Sequence, residues 1–365
     1  IDSSAVVAGM VAAANQPVKT YTIGYEGDQS VYDERADASK IARHLGTDHH
    51  EIVIKPDIED VIPRLVRAFD QPFADSSAVA NYYVFKETSK HVKVVLSGLG
   101  GDELFGGYER HLAIRRHAGL AWLPRWMSAG VLPWLTGLLP EPRSGARQID
   151  RVKRFARGMA APAPAAYEAY MTAFDAETRG ELLNEGMRSE VAAADSEFHY
   201  ARLFEAFDCE DPVGTATCVD VLSYLPGDLL TLTDRMSMQH SIEARAPLID
   251  HDFVELALSI PGALRIRGSE KKRILRQVVR DRIPPEILDR PKRGFTIPVT
   301  NWFRDELQGY LRSVLATERV AKTGLFNTGV VERLIQEHVD RRHNHHARLW
   351  ALVTFMVWND EYKVV

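Results

Sequence analysis

Two short stretches set carboxylates at helix starts beside glycine or serine. In "LSGLGGDELFGGY" (96–108), Asp102 and Glu103 lie between the pairs Gly100-Gly101 and Gly106-Gly107, and "IDSS" (1–4) puts Asp2 and Ser3 at a second helix start. A glycine turn exposes backbone N–H groups and the helix behind it adds partial positive charge, a combination that suits a phosphate. A carboxylate there repels the phosphate unless a cation lies between them. Magnesium resolves the conflict, because hard divalent ions take one or two carboxylates together with phosphate oxygens. One Asp from each helix start would hold such an ion from two sides. The same glycines also suit close packing alone, with Asp102 as a helix cap, and the local sequence leaves both readings open.

A basic set follows in "SEKKRILRQVVRDRI" (269–283), where Lys272, Arg276 and Arg280 recur at one-turn spacing. Like charges at that spacing cost a few tenths of a kcal/mol per pair unless an anion or carboxylates offset them. The alternative is a solvated basic face. The segment 224–250 carries Asp228, Asp234, Arg235, Glu243, Arg245 and Asp250 among apolar residues. Charges that dense are expected to pair when buried, with Glu243 and Arg245 building the floor of a site and Asp228 reserved for substrate. "DHHE" (48–51) reads as a strand that points His49 and His50 to opposite faces, and "HNHH" (343–346) as part of a polar helix facing water, so neither is read as a metal site.

These residues need a scaffold. A capped helix is expected over 3–14, a strand over 18–25, a helix over 34–46 closed by Gly46, a strand over 48–55, helices over 58–70 and 76–91, and a strand over 92–97. Such alternation predicts an α/β fold with a parallel, doubly wound sheet, in which ligands gather at the carboxyl ends of strands. Ser97 to Gly101 lies at such an end. From about 111 helical periodicity takes over, so the expected organisation is a nucleotide-binding core (1–110) followed by a large helical part (111–365). Residues 141–150, "EPRSGARQID", read as an exposed flexible loop.

The 365 residues are 45% hydrophobic and 26% charged, as in soluble globular proteins. With 45 Lys and Arg against 50 Asp and Glu, a net charge of −5 gives no bulk attraction for nucleic acid or an acidic membrane. The two cysteines, Cys209 and Cys218, match neither a redox nor a zinc spacing, which points to a reducing cytoplasmic setting. "GLAWLPRWMSAGVLPWLTGLLP" (119–140) is interrupted by Pro124, Arg125 and Pro133, so it reads as packed short helices or an interaction surface rather than a membrane span.

"IDSSAVVA" resembles the end of the Ser-Gly-Gly-x-Asp-Ser loop of N-type ATP pyrophosphatases. "LSGLGGDELFGGY", "DRMSMQHSIEARAPLID" and "KRILR" with "RPKRGF" resemble, in order, signatures of the synthetase domain of glutamine-dependent asparagine synthetases. The resemblance covers nearly the whole chain, least in 111–225. It implies an adenine nucleotide alpha hydrolase-like core, with ATP and magnesium as cofactors and Asp2 and Asp102 sharing the metal. Ser3 would contact phosphate, and the backbones of Ile23, Ser97 and Gly98 would flank adenine. Lys272 and Lys292 would meet the departing pyrophosphate. The implied reaction is that of a carbon–nitrogen ligase: aspartate, or another carboxylate, is adenylated and then amidated by ammonia. A homodimer is compatible with it.

The pattern departs from the family at Leu99, where asparagine synthetases usually carry Glu. Leu accepts no proton, so any general base must come from elsewhere, with Asp228 a candidate, and other acceptors, such as those of exopolysaccharide or peptide amidotransferases, stay open. A silent nucleotide-binding relative is the further alternative. The sequence also starts without the preceding strand or the N-terminal glutaminase domain that supplies ammonia in that family.

Overall fold

The computed structural model describes all residues except 27–33, 121, 125, 138–151, 153–154, 157, 160, 195–199, 208–209 and 289–296. The 141–150 loop, Cys209 and Lys292 therefore lie outside the described residues. The chain divides into two compact units, one of residues 1–69, 75–112 and 213–297, the other of residues 70–74, 113–212 and 298–365.

The first unit opens with the expected alternation: α1 (Asp2–Ala13), β1 (Lys19–Tyr25), α2 (Arg35–Leu45), β2 (Asp48–Ile54), α3 (Ile58–Phe69), α4 (Ser77–Thr88) and β3 (Val94–Leu96). Gly46 closes α2 at φ 68°, a left-handed conformation that glycine adopts without a Cβ penalty. In α3, Ile58, Val61, Ile62, Leu65, Val66 and Phe69 are all buried, the spacing of one helical face. β1 pairs in parallel with β2 from Lys19–Asp48 to Tyr25–Ile54. β3 pairs in parallel with β4 (Glu243–Arg245) from Val94–Glu243 to Leu96–Arg245. The described strands thus make two parallel two-stranded ladders within a mixed α/β unit. Helix α4 packs on β1 and β2, and also on the helix Thr231–Met238, which in turn packs on β4.

β3 runs into α5 (Gly101–Phe105), a five-residue helix that starts at Gly100 with φ 90°. A side chain at Gly100 would place its Cβ 2.4 Å from Cγ2 of Ile249, so both backbone conformation and space require glycine. Leu104 and Phe105 face a core of Ala257, Leu275, Val279, Ile283, Ile287 and Leu288. Burying each large aliphatic or aromatic side chain contributes about 1.5–3 kcal/mol, so the core fixes α5 against the 273–288 segment.

The second unit is helical. Its C-terminal helix His346–Tyr362 buries Leu349, Trp350, Leu352, Val353 and Met356, and Trp350 stacks on Phe303 with ring centroids 6.1 Å apart. "HNHH" does not form one water-facing helical stretch. It bridges the end of Thr328–Val339 and the start of His346–Tyr362, and His345 Nε2 lies 2.7 Å from Glu337 Oε2. The preceding His338 is fully buried and donates from Nε2 to the Thr300 carbonyl at 3.3 Å; burial pushes its pKa down to about 3, so it is neutral.

Candidate functional site

Asp2, Asp102 and Lys272 meet in the first unit. Asp2 opens α1 and Asp102 lies in the first turn of α5, so two helix N-termini bring their carboxylates together. The Lys272 ammonium bonds Asp2 Oδ2 and lies 2.5 Å from Asp102 Oδ1. Lys272 is only 8% exposed. Burial alone would lower its pKa, but the two carboxylates outweigh that effect and raise it, so the lysine stays charged.

The expected basic face over 269–283 does not form. Lys272 sits at φ 53°, ahead of the short helix Arg273–Val278, which turns its side chain away from the helix and toward the two aspartates. Arg276 instead binds carbonyl oxygens, that of Lys271 at 3.0 Å and that of Leu288. Arg280 lies beyond the helix and is exposed. The offset to like-charge repulsion comes from carboxylates and carbonyls placed by tertiary structure.

The backbone around this cluster is tight. A Cβ on Gly98 would stand 2.4 Å from the Ser3 amide nitrogen, one on Gly101 would stand 2.5 Å from Asp2 Oδ1, and one on Gly107 would stand 1.8 Å from Asp102 Oδ1 and 2.2 Å from Lys272 Cε. Glycine is what lets the loop approach both aspartates. Gly98 and Ser3 are thereby adjacent. Ser97 donates its N–H to the Arg245 carbonyl at 2.8 Å, and its hydroxyl is buried without a hydrogen-bond partner among the described residues. Ile23 is buried on β1.

The donor set fits a magnesium ion. Both carboxylates are hard oxygen ligands, and Asp2 Oδ1 is buried without a hydrogen-bond partner among the described residues. Two protein carboxylates suffice when a nucleotide supplies the remaining oxygens, so a third acidic ligand is not required.

Behind α5 lies a polar network that the sequence did not announce. Glu103, read from sequence as a helix-start charge, is 1% exposed; burial raises its pKa, and its carboxyl oxygen accepts a hydrogen bond from the Tyr108 hydroxyl. The Arg110 guanidinium lies 3.8 Å from the centroid of the Tyr108 ring and 4.5 Å from that of Tyr224. It donates to fully buried Asp220 through Nε at 3.1 Å and Nη2 at 2.9 Å. His111, also fully buried, places Nε2 2.6 Å from Asp220 Oδ2; an ionised carboxylate only accepts, so Nε2 carries the proton. Burial holds the His111 pKa below its ordinary value.

Asp228 lies on the π-helical turn Leu225–Leu230, close to Tyr224 and hydrogen-bonded to Asp75. Burial and the Asp75 carboxylate push its pKa up to about 8. Asp75 also accepts the Ser77 N–H at 2.7 Å at the start of α4. The other charges of 224–250 do not build a buried floor. Asp234 and Arg235 are exposed, Asp250 caps the helix His251–Ser259, and Glu243 and Arg245 pair with each other at 2.7 Å on the exposed face of β4. Alternation along the strand puts these two on the same face, outside the core. On β1 and β2, His49 hydrogen-bonds Thr20 at 2.9 Å while His50 stacks on Tyr21, so each is engaged separately.

The family model described as asparagine synthase matches residues 1–360. The chain is 27% identical over 361 residues to asparagine synthetase (glutamine-hydrolyzing) 1 of Bacillus subtilis, covering 98% of this chain and 54% of that protein. It is 29% identical over 361 residues to a putative asparagine synthetase (glutamine-hydrolyzing) of Mycobacterium tuberculosis, covering 98% of this chain and 53% of the relative. Amidase chyE of Penicillium rubens is 23% identical over 383 residues, covering 92% of this chain and 54% of that protein. The chain spans about half the length of these relatives. No described helix is long and apolar enough to cross a membrane.

Proposed function

We propose, given that this chain belongs to the asparagine synthase family, that its first unit adenylates the side-chain carboxylate of aspartate and lets ammonia displace AMP to give asparagine. The observation that carries this reading is Lys272 held between Asp2 and Asp102 on a glycine backbone too tight for side chains. The two parallel ladders are read as parts of one doubly wound sheet, and ATP as co-substrate puts the reaction in the cytoplasm.

In this reading the triphosphate lies over the N-terminus of α1, with Ser3 on a phosphate and the backbones of Ile23, Ser97 and Gly98 beside adenine. An aspartate carboxylate oxygen attacks the α-phosphorus, and the bond to the pyrophosphate oxygen breaks. Magnesium held by Asp2 and Asp102 would supply charge neutralisation on the phosphate oxygens. Lys272, with Lys292, neutralises the leaving pyrophosphate, stabilisation by fixed cations that needs no reorganisation during the step. Ammonia nitrogen then attacks the acyl carbon, AMP leaves with the bonding pair, and the nitrogen loses a proton. Leu99 offers no acceptor for that proton, so the role falls to Asp228, whose pKa of about 8 suits a base near neutral pH. Glutamine hydrolysis, stated in the names of the relatives, is the proposed source of ammonia.

The test supplies ATP, magnesium and ammonium with and without aspartate, and measures pyrophosphate and asparagine together. Aspartate-dependent formation of both supports the reading. ATP binding without aspartate-dependent pyrophosphate release contradicts the choice of acceptor.

A pH profile tests Asp228 separately. With its pKa raised to about 8, the carboxyl is mostly protonated at neutral pH, so amide formation should rise with pH through about 8. Asp75→Asn removes a repelling charge and should move that rise toward acid. An unmoved profile would remove Asp228 from proton transfer.

A further inference from the structure

We propose that Arg110 is a positioning residue for Asp228, a cation fixed against Tyr224 that favours the ionised form of that carboxyl, and that Asp220 sets how much of this charge Asp228 feels. The role given to Asp228 rests on the reading above, in which it takes the proton during amide formation. All of these groups lie in the first unit. The helix Glu109–Gly119 carries Arg110, the helix Pro212–Leu222 carries Asp220, and the π-helical turn Leu225–Leu230 follows Tyr224 and carries Asp228. Asp220 accepts from Nε and Nη2 of Arg110, which fixes the guanidinium plane, and the side chains of the pair are 11% and 0% exposed. The guanidinium carbon then stands 4.5 Å from the Tyr224 ring centroid and 3.8 Å from that of Tyr108. Tyr224 and Asp228 are four residues apart along one helical turn, so the Tyr224 ring has Arg110 on it and Asp228 beside it. The Tyr224 hydroxyl feels both charges, raised by Asp228 and opposed by Arg110.

The groups that face Asp228 pull in opposite directions. Asp75, at the start of α4, shares a hydrogen bond with it and, together with burial, favours the protonated form; Arg110 is the cation that opposes them. Asp228 Oδ1 is buried without a hydrogen-bond partner among the described residues, so solvent and hydrogen bonds do little for that oxygen when it ionises. Burial and Asp75 alone would hold the proton too tightly for a base near neutral pH. Arginine keeps its charge throughout that range, so its influence on Asp228 is constant while Asp228 titrates. Asp220 neutralises part of that charge, and His111 Nε2, 2.6 Å from Asp220 Oδ2, draws on the same carboxylate. Glu103 meets the other ring against Arg110, through the Tyr108 hydroxyl.

The experiment follows the Asp228 carboxyl directly, by carbon NMR on the full chain labelled at aspartate with the signal assigned through Asp228→Asn, and measures the pH profile of asparagine formation from ammonium alongside. Arg110→Gln should move the titration of Asp228 toward alkali by about half a pH unit or more. Asp220→Asn leaves the guanidinium less neutralised and should move it toward acid. Both changes weaken the same buried ion pair, so a purely structural role would not send the two titrations in opposite directions. Arg110→Lys keeps the charge and should hold the titration near its original position. Where a single variant fails to fold, the double variant Arg110→Gln with Asp220→Asn leaves no unpaired buried charge and should still show a smaller alkaline shift. Matching shifts in the carboxyl signal and in the activity profile support the proposal together with the reading of Asp228 as base. A shifted signal with a fixed activity profile supports the influence of Arg110 and removes Asp228 from proton transfer. An unmoved carboxyl signal in Arg110→Gln and in the double variant, or shifts of the two single variants in the same direction, would overturn the proposal.

Discussion

Asp102→Ala is expected to lower magnesium-dependent pyrophosphate formation by about 100- to 1,000-fold, the loss seen when a fixed electrostatic element is taken from a developing charge. Asp102 supplies one of the two carboxylates that face each other across Lys272, and its position depends on Gly101 and Gly107 as much as on α5. The substitution leaves Lys272 paired with Asp2, so the buried ammonium keeps a partner and the thermal midpoint should move little. Asp102→Asn keeps the shape and one oxygen but removes the charge. It should fall between wild type and Asp102→Ala, with part of its activity recovered at higher magnesium, because a weakened ion site responds to concentration whereas a damaged fold does not. Unchanged turnover in Asp102→Ala would refute the metal and phosphate role of the cluster. A parallel loss of activity and of cooperative unfolding would make Asp102 a structural residue instead.

This cluster was legible from the sequence because its parts obey local rules. Asp2 and Asp102 stand at helix starts, and the glycines beside Asp102 announce a backbone that must come close to something. Lys272 came from the resemblance of "KRILR" to a family signature, and the physical support offered beside it was mistaken. A one-turn spacing of basic residues predicted a shared face, yet Lys272 leaves the helix at φ 53° and Arg276 turns to carbonyls. Tertiary partners decide such angles, and periodicity does not contain them. The alternation of 1–97 into helices and strands was readable for the same reason that the glycine loop was, since propensity, caps and burial agree there. Residues 213–297 pack with that first unit although helical segments separate them in sequence, a long-range pairing that no window reveals.

The charges of 224–250 show the limit from the other side. Density of charge among apolar residues suggested burial, but β4 puts Glu243 and Arg245 together on its exposed face. Among the described carboxylates, the buried ones are Asp220, which was overlooked, and Glu103, which was read as a helix-start charge. Glu103 is in the first turn of α5, where an exposed acidic residue is ordinary, but a helix of five residues enclosed by glycine turns has little solvent face. Asp220 stands alone in an apolar helix, and its partners Arg110 and His111 are more than a hundred residues away. Only the contact itself distinguishes it from a surface carboxylate.

Asp220→Ala is accordingly expected to destabilise the first unit by about 3–5 kcal/mol, the cost of removing one member from a buried ionic group. Asp220 accepts two nitrogens of Arg110 and one of His111, and all three side chains are at most 11% exposed. Without the carboxylate, the Arg110 guanidinium loses its bidentate acceptor where water hardly reaches, and its hold on the Tyr108 and Tyr224 rings depends on staying in place. Asp220→Asn retains one acceptor oxygen and the volume, so its loss should be smaller, and comparison of the two separates charge from packing. His111→Ala removes one hydrogen bond and leaves the charge pair, so it should cost less than Asp220→Ala. A double variant should cost less than the sum, because both changes break one network. Denaturant unfolding checks these orderings. A cost below about 1 kcal/mol for Asp220→Ala, typical of exposed ion pairs, would mean that Arg110 finds another acceptor and that Asp220 does not fix the tyrosines behind the site.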